Sequence, residues 1–234
     1  MNMFNNSKQC YLTACLCFAM ASFGAVPLAA QKKPADVPLT VEAPATAEAE
    51  APELTEEAEK AIERGLKFLI SSQNKDGSWS SKDPEKGGGG GYAIAGTSLG
   101  LMAFMVEGHF PGFGKYGKAL DRAKKYLLKR SKDSPTGAMG VKMYEIGLFT
   151  IAMSELWGMT SDPVDNKKIQ VALERVVEII LRSQNPLGGW RYAPRPDAGQ
   201  DTSVTAMVFV SLASAREAGV LVPAETIERV TGYL

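Results

Sequence analysis

Few residues in this chain could do chemistry, and they gather in two places. Gly188-Gly189-Trp190-Arg191-Tyr192-Ala193-Pro194-Arg195-Pro196-Asp197 mixes aromatics, two arginines and two prolines in one turn, and Asp201 follows it. Tyr144 and Glu145 form the second cluster, inside an apolar stretch. Glu145 with Asp201 would make a carboxylate pair of the kind that cleaves glycosidic bonds, with Trp190 and Tyr192 as sugar platforms. Tyr144, Trp190, Arg191, Tyr192 and Asp197 are the candidate ligand-binding residues. Other chemistry is excluded by residue type. Cys10, Cys15 and Cys17 all fall within the first 17 residues, so loss of the N-terminus removes every thiol, disulfide and Cys-ligated metal. His109 is the sole imidazole, so a Ser-His-Asp triad has one possible base and a His-rich zinc site has none. Gly87 to Gly91 lack the Gly-Lys-Ser/Thr ending of a phosphate loop and read as a turn.

The elements that must position these residues come next. The chain has 234 residues, is 45% hydrophobic, and balances 26 basic against 26 acidic side chains. That is ample for a buried core, and zero net charge without a basic run argues against a nucleic-acid surface. Residues 1–30 read as a secretory signal peptide, with an uncleaved anchor as the alternative, because Tyr11 to Ala30 carries no charge and ends in small residues. Residues 31–53, rich in Pro, Ala and Glu, read as a disordered linker. The rest of the chain, 54–234, is then expected outside the cytoplasm.

A repeat runs through 54–234. Ile62-Glu63-Arg64, Leu120-Asp121-Arg122, Leu173-Glu174-Arg175 and Ile227-Glu228-Arg229 each open an aliphatic-acid-Arg pattern with two apolar residues after three variable ones, at steps of 58, 53 and 54 residues. Each copy fits an amphipathic helix. In the first, Ala58, Ile62, Gly65/Leu66, Leu69 and Gln73 trace one face. The segments that follow, Tyr92 to Val106, Val141 to Met159 and Thr202 to Ala215, are apolar on nearly every side and read as helices buried all round. The unit is a hairpin of one half-exposed and one buried helix, and stacked hairpins give two layers. The buried helices then start at a common rim, where Tyr144, Glu145, Trp190, Arg191, Tyr192, Asp197 and Asp201 should meet. Met102, Met105, Met143, Met153 and Met207 read as core filler.

Arg64-Gly65-x-x-Phe68-Leu69-x-x-x-Gln73-x-x-x-Gly77-x-Trp79 resembles the QW repeat of the terpenoid cyclase and protein prenyltransferase superfamily. Gln184-x-x-x-Gly188-x-Trp190 repeats its second half, while Ser131 to Met139 keeps Gly137 and lacks Gln and Trp. Gln73, Gly77, Trp79, Gln184, Gly188 and Trp190 are therefore expected to hold the fold, the Gln amide satisfying backbone groups at a helix end. The resemblance implies an all-α, α/α toroid of helical hairpins. About three and a half hairpins fit into Thr55–Leu234 against the family's usual six, so an incomplete ring is expected. It is either continued beyond Leu234, open as a horseshoe, or closed by a second chain. The export signal, the linker and Met143-Tyr144-x-x-Gly147 look like the secreted bacterial branch of the superfamily.

The catalytic motifs of the resembled family are broken. Squalene-hopene-type cyclases use Asp-x-Asp-Asp-Thr-Ala, whose second Asp protonates the substrate. Here Asp201-Thr202-Ser203-Val204-Thr205-Ala206 has Ser203 at that place, and a hydroxyl cannot protonate an alkene. Asp201 then fits a helix N-cap. Protein prenyltransferases hold zinc with Asp, Cys and His, which this chain cannot assemble after Cys17, so no metal or cofactor is expected. The expectation is a non-catalytic binding or scaffold module with an apolar cavity. Its partner would be an isoprenoid or other apolar small molecule, a protein or a second copy, and not nucleic acid. Two enzymatic alternatives stay open: a triterpenoid cyclase-like enzyme, and a carbohydrate-active toroid using Glu145 and Asp201.

Overall fold

The computed structural model describes residues 54–80, 92–133, 141–160, 162–199 and 201–234. The expected signal segment, the linker, Gly87–Gly91 and Gly137 with most of its degenerate copy lie outside these residues. The described residues form seven α-helices and no strand: α1 (Glu56–Ser72), α2 (Ala93–Val106), α3 (Gly117–Asp133), α4 (Met143–Leu156), α5 (Pro163–Ser183), α6 (Thr202–Glu217) and α7 (Ala224–Tyr233). The fold is all-α, and none of these helices is long and apolar enough to cross a membrane.

The helix starts follow local chemistry. Thr55 caps α1, its Oγ1 accepting from the Ala58 amide at 3.2 Å, and Glu56, Glu57 and Glu59 occupy the first turn, where the helix dipole favours acids. Asp162 caps α5 by accepting from Val164 N at 2.8 Å, with Pro163 in the first turn. Asp201 caps α6 in the same way, accepting from Val204 N at 3.0 Å. Tyr92, before α2, has φ 63°, a left-handed conformation that costs a non-glycine residue about 1–2 kcal/mol.

The chain divides into two units, Met1–Ile62 and Glu63–Leu234. Within the second unit, α2, α4 and α6 pack side by side in one layer, and α3 and α5 pack together against it. In the first layer α4 and α6 run parallel and in register. Tyr144 meets Ser203 near their starts and Glu155 meets Ser214 near their ends. In the second, Lys124 meets Asp165 and, further along both helices, Arg175 reaches the Ser131 carbonyl, so α3 and α5 are parallel too.

The core is Leu101, Phe104, Leu120, Leu127, Ile146, Phe149, Leu156, Leu173, Val176, Val208 and Leu212, all fully enclosed. The expectation that α2, α4 and α6 are buried all round needs correction. Leu99 is 52% exposed, Val106 41% and Val210 45%. An apolar face is not always a covered face; composition alone does not distinguish them. Gly65, assigned to the apolar face of α1, is exposed as well, and Leu66 alone is fully buried there. The methionines divide: Met143 and Met153 are enclosed, whereas Met102, Met105 and Met207 are half-buried. His109 is part of the packing, its ring 4.9 Å from Tyr116 in an edge contact and 6.4 Å from Phe104.

Candidate functional site

Two turns share one construction. In the first, Gln73 Nε2 donates to Gly77 O at 3.1 Å and to Ala119 O, in the first turn of α3, at 2.9 Å. In the second, Gln184 Nε2 donates to Gly188 O at 2.8 Å and to Thr226 O, in the first turn of α7, at 3.0 Å. Each Trp indole N–H donates back to the preceding helix, Trp79 to Leu69 O at 2.7 Å and Trp190 to Ile180 O at 2.9 Å. Each Trp amide donates to a threonine on the next apolar helix, Thr97 or Thr205, at 3.0 Å. The amide nitrogens of Gln73 and Gln184 and the indole N–H groups of Trp79 and Trp190 are therefore committed to backbone.

The glycines of these turns are fixed by a neighbour as well as by φ. Gly77 has φ 93°, and a Cβ there would lie 2.5 Å from the Arg122 backbone. Gly188 has φ 92°, and a Cβ would lie 2.2 Å from Arg229 O. Each turn thus sits directly on the next half-exposed helix.

The arginines of the aliphatic-acid-Arg triplets complete the contact, a role the sequence did not reveal. Arg122 donates to Gln73 Oε1 at 2.6 Å, Arg175 to Ser131 O at 3.4 Å and Arg229 to Asn185 O at 2.5 Å. All three reach back to the end of the preceding half-exposed helix. A Cβ at Gly100 would come within 2.7 Å of the Trp79 ring, and one at Gly96 within 2.4 Å of Trp79 O, so this pair makes the bed for Trp79. The visible signal was two glycines four residues apart on an apolar helix.

The candidate polar site lies at the start of α4 and α6. Tyr144 OH donates to Ser203 Oγ at 2.5 Å, and Ser203 Oγ donates to Asp201 Oδ1 at 2.5 Å. Tyr192 OH donates to the other carboxylate oxygen at 3.0 Å, and the Tyr192 carbonyl accepts from the Met143 amide at 2.9 Å. Hydrogen bonds from Ser203, the Val204 amide and Tyr192 hold the Asp201 carboxyl below the ordinary aspartate range. The Asp201 bond in turn pushes the Tyr192 phenol up. Tyr144, Tyr192 and Asp201 thus meet, with Ser203 as the link.

The side chains of the other candidates do not join this cluster, although the Trp190 carbonyl accepts from the Asp201 amide at 3.0 Å. Glu145 is buried at 5% exposure. Trp190 is enclosed at 1% exposure, so its ring packs against protein. Asp197 pairs with Arg195 at 2.6 Å within the turn. Arg191 is exposed beside Tyr192, where its charge opposes the rise in the phenol's pKa. Among the described residues no three His, Cys, Asp or Glu side chains are arranged to hold a metal ion.

Next to the polar cluster lies an apolar surface. Ala95, Leu99, Met102, Ala103 and Val106 form a helical stripe on α2 that is not fully covered. Leu148 and Ile151 continue it on α4, and Ala206, Met207 and Val210 on α6. Tyr144 with Ser203 closes one end of the α4 and α6 stripes, and Glu155 with Ser214, at 3.5 Å, closes the other. Compared with known proteins, the chain matches no family model and no curated protein.

Proposed function

We propose that this protein is an exported, non-catalytic binding module of the squalene cyclase and prenyltransferase toroid type, which holds an isoprenoid or other apolar molecule against α2, α4 and α6. The observation that carries this reading is the uncovered apolar stripe on three neighbouring helices, since soluble proteins seldom leave contiguous apolar surface without a partner for it. The matched Gln-Gly-Trp turns support the toroid architecture, because each one fastens successive half-exposed helices.

The chemistry of Asp201 supports a binding role over catalysis. A general acid must keep its proton near neutral pH, which calls for a raised pKa, whereas Asp201 accepts three hydrogen bonds that favour its ionised form. The test is extraction of the native protein with organic solvent, followed by mass spectrometry, alongside titration with a fluorescent farnesyl probe. We expect a co-purified polyprenyl or similar chain, and probe binding that Leu99→Asp with Val210→Asp weakens at least about tenfold. Absence of both a bound apolar molecule and probe binding would refute the reading. A squalene-derived product that disappears in Asp201→Ala would move it to the cyclase alternative.

A further inference from the structure

The balanced charge of the whole chain hides a local imbalance. Helix α3 (GKALDRAKKYLLKRSKD) holds seven basic and two acidic side chains. A groove of about 610 Å³ runs between α3 and α5, on the second layer and so apart from the apolar stripe. Lys125, Lys129 and Lys132 form one wall, on successive turns of α3, and Lys168 and Arg175 form the other. Leu128, Val171 and Ala172 give the floor between them its apolar part, and Ser131, Asp165 and Lys167 also line the groove.

Some of this charge is already used and some is not. Lys168 pairs with Asp165 at 2.9 Å and Lys125 with Asp121 at 2.7 Å. The enclosed Lys124 beneath the wall is held by both aspartates. Lys129 and Lys132 are exposed and make no ion pair among the described residues, although Asp133 also lines the groove.

We infer that this groove binds an acidic peptide segment of a partner protein, with carboxylates on the lysine walls and apolar side chains on the Leu128–Val171–Ala172 floor. The positive charge is a line about 10 Å long, from the helical rise between Lys125 and Lys132, rather than a point. A line suits a chain with repeated carboxylates better than a single phosphate. The groove lining contains no aromatic ring, so it offers no stacking platform for a sugar or a nucleobase. Its concavity does not suit a flat lipid surface.

The full chain should therefore bind a short fluorescein-labelled peptide of repeated Glu-Leu-Glu-Ala, read by anisotropy at about 0.05 M salt, where surface charges are weakly screened. Lys129→Glu with Lys132→Glu should weaken binding at least about tenfold, and Lys129→Ala with Lys132→Ala by a smaller factor. Val171→Asp should weaken it too, while Lys75→Glu, outside the groove, should not. Circular dichroism melts would confirm that each variant folds, and the two alanine substitutions serve if the charge reversals do not. Equal peptide binding by wild type and every groove variant would overturn the inference. So would binding of phosphatidylglycerol vesicles or of an oligonucleotide in place of the peptide, or a peptide affinity unchanged at 0.5 M salt.

Discussion

Replacement of Gln184 by alanine tests the idea that this side chain ties one helical hairpin to the next. Gln184 is 8% exposed, and its amide donates to Gly188 O and Thr226 O at 2.8 and 3.0 Å. The two acceptors differ in what they lose. Thr226 is the third residue of α7, so α-helical geometry also brings the Val230 N–H to its carbonyl, and the loss there is one net hydrogen bond, about 0.5–1.5 kcal/mol. The Gly188 carbonyl has no such second donor and becomes an unsatisfied buried acceptor, at about 1–3 kcal/mol. The sum is about 1.5–4.5 kcal/mol, or a melting temperature lower by about 3–18 °C for a chain of this size. The same change at Gln73 also removes the exposed Arg122 bond but should still cost less, because that side chain is only part-buried and water can reach the freed groups. Gln184→Glu sharpens the test. A carboxylate facing two carbonyl oxygens has its pKa raised, so the penalty of its charge is absent below about pH 4 and grows as pH rises to neutrality, while one of the two donated bonds is missing at every pH because a protonated carboxyl has a single O–H. Urea and thermal unfolding at pH 4 and 7 measure all three. A cost under about 1 kcal/mol for Gln184→Ala, or a larger one at Gln73, would refute the reasoning.

Three further outcomes follow. Gly188→Ala places a Cβ 2.2 Å from the Arg229 carbonyl at φ 92°, and should cost more than about 4 kcal/mol or abolish soluble expression. Gly219→Ala, at φ 97° with only the Trp157 ring at 3.8 Å, should show the backbone strain alone, about 1–2 kcal/mol in chemical unfolding. Asp201→Ala should lower the melting temperature at neutral pH. Because the folded-state pKa of Asp201 is depressed, its contribution is present above the ordinary aspartate value and lost as pH falls through the folded one, so the wild-type and variant melts should converge in acid. A gap that persists at low pH would show that Asp201 acts through something other than its charge.

Local chemistry was legible without the structure. Asp201 marks a helix start, and the all-α class follows from the spacing of apolar residues. The Gln-Gly-Trp spacing was visible as a turn with its amide turned to backbone, and the structure adds the second acceptor on the next helix. The candidate site was legible in part. Tyr144, Tyr192 and Asp201 meet through Ser203, whereas Glu145 is buried away from them because adjacent helical residues point about 100° apart.

Sequence alone determined what depends on neighbours within a turn or two: where helices begin, which faces are apolar, and which glycines permit a turn. Tertiary structure decided what depends on residues far apart along the chain. The triplet arginines were visible as a pattern, but their acceptors lie 44 to 49 residues earlier, and no local rule names a partner at that distance. The same holds for α2, α4 and α6. Their apolar character is written in the residues, but whether each face is covered depends on which helices pack beside it, and here one stripe stays open. The α3–α5 groove exists only because two helices some 40 residues apart run side by side, with Lys124 meeting Asp165 at a separation of 41. Hydrophobic burial and salt bridges act through space, so they became readable only once the chain had folded.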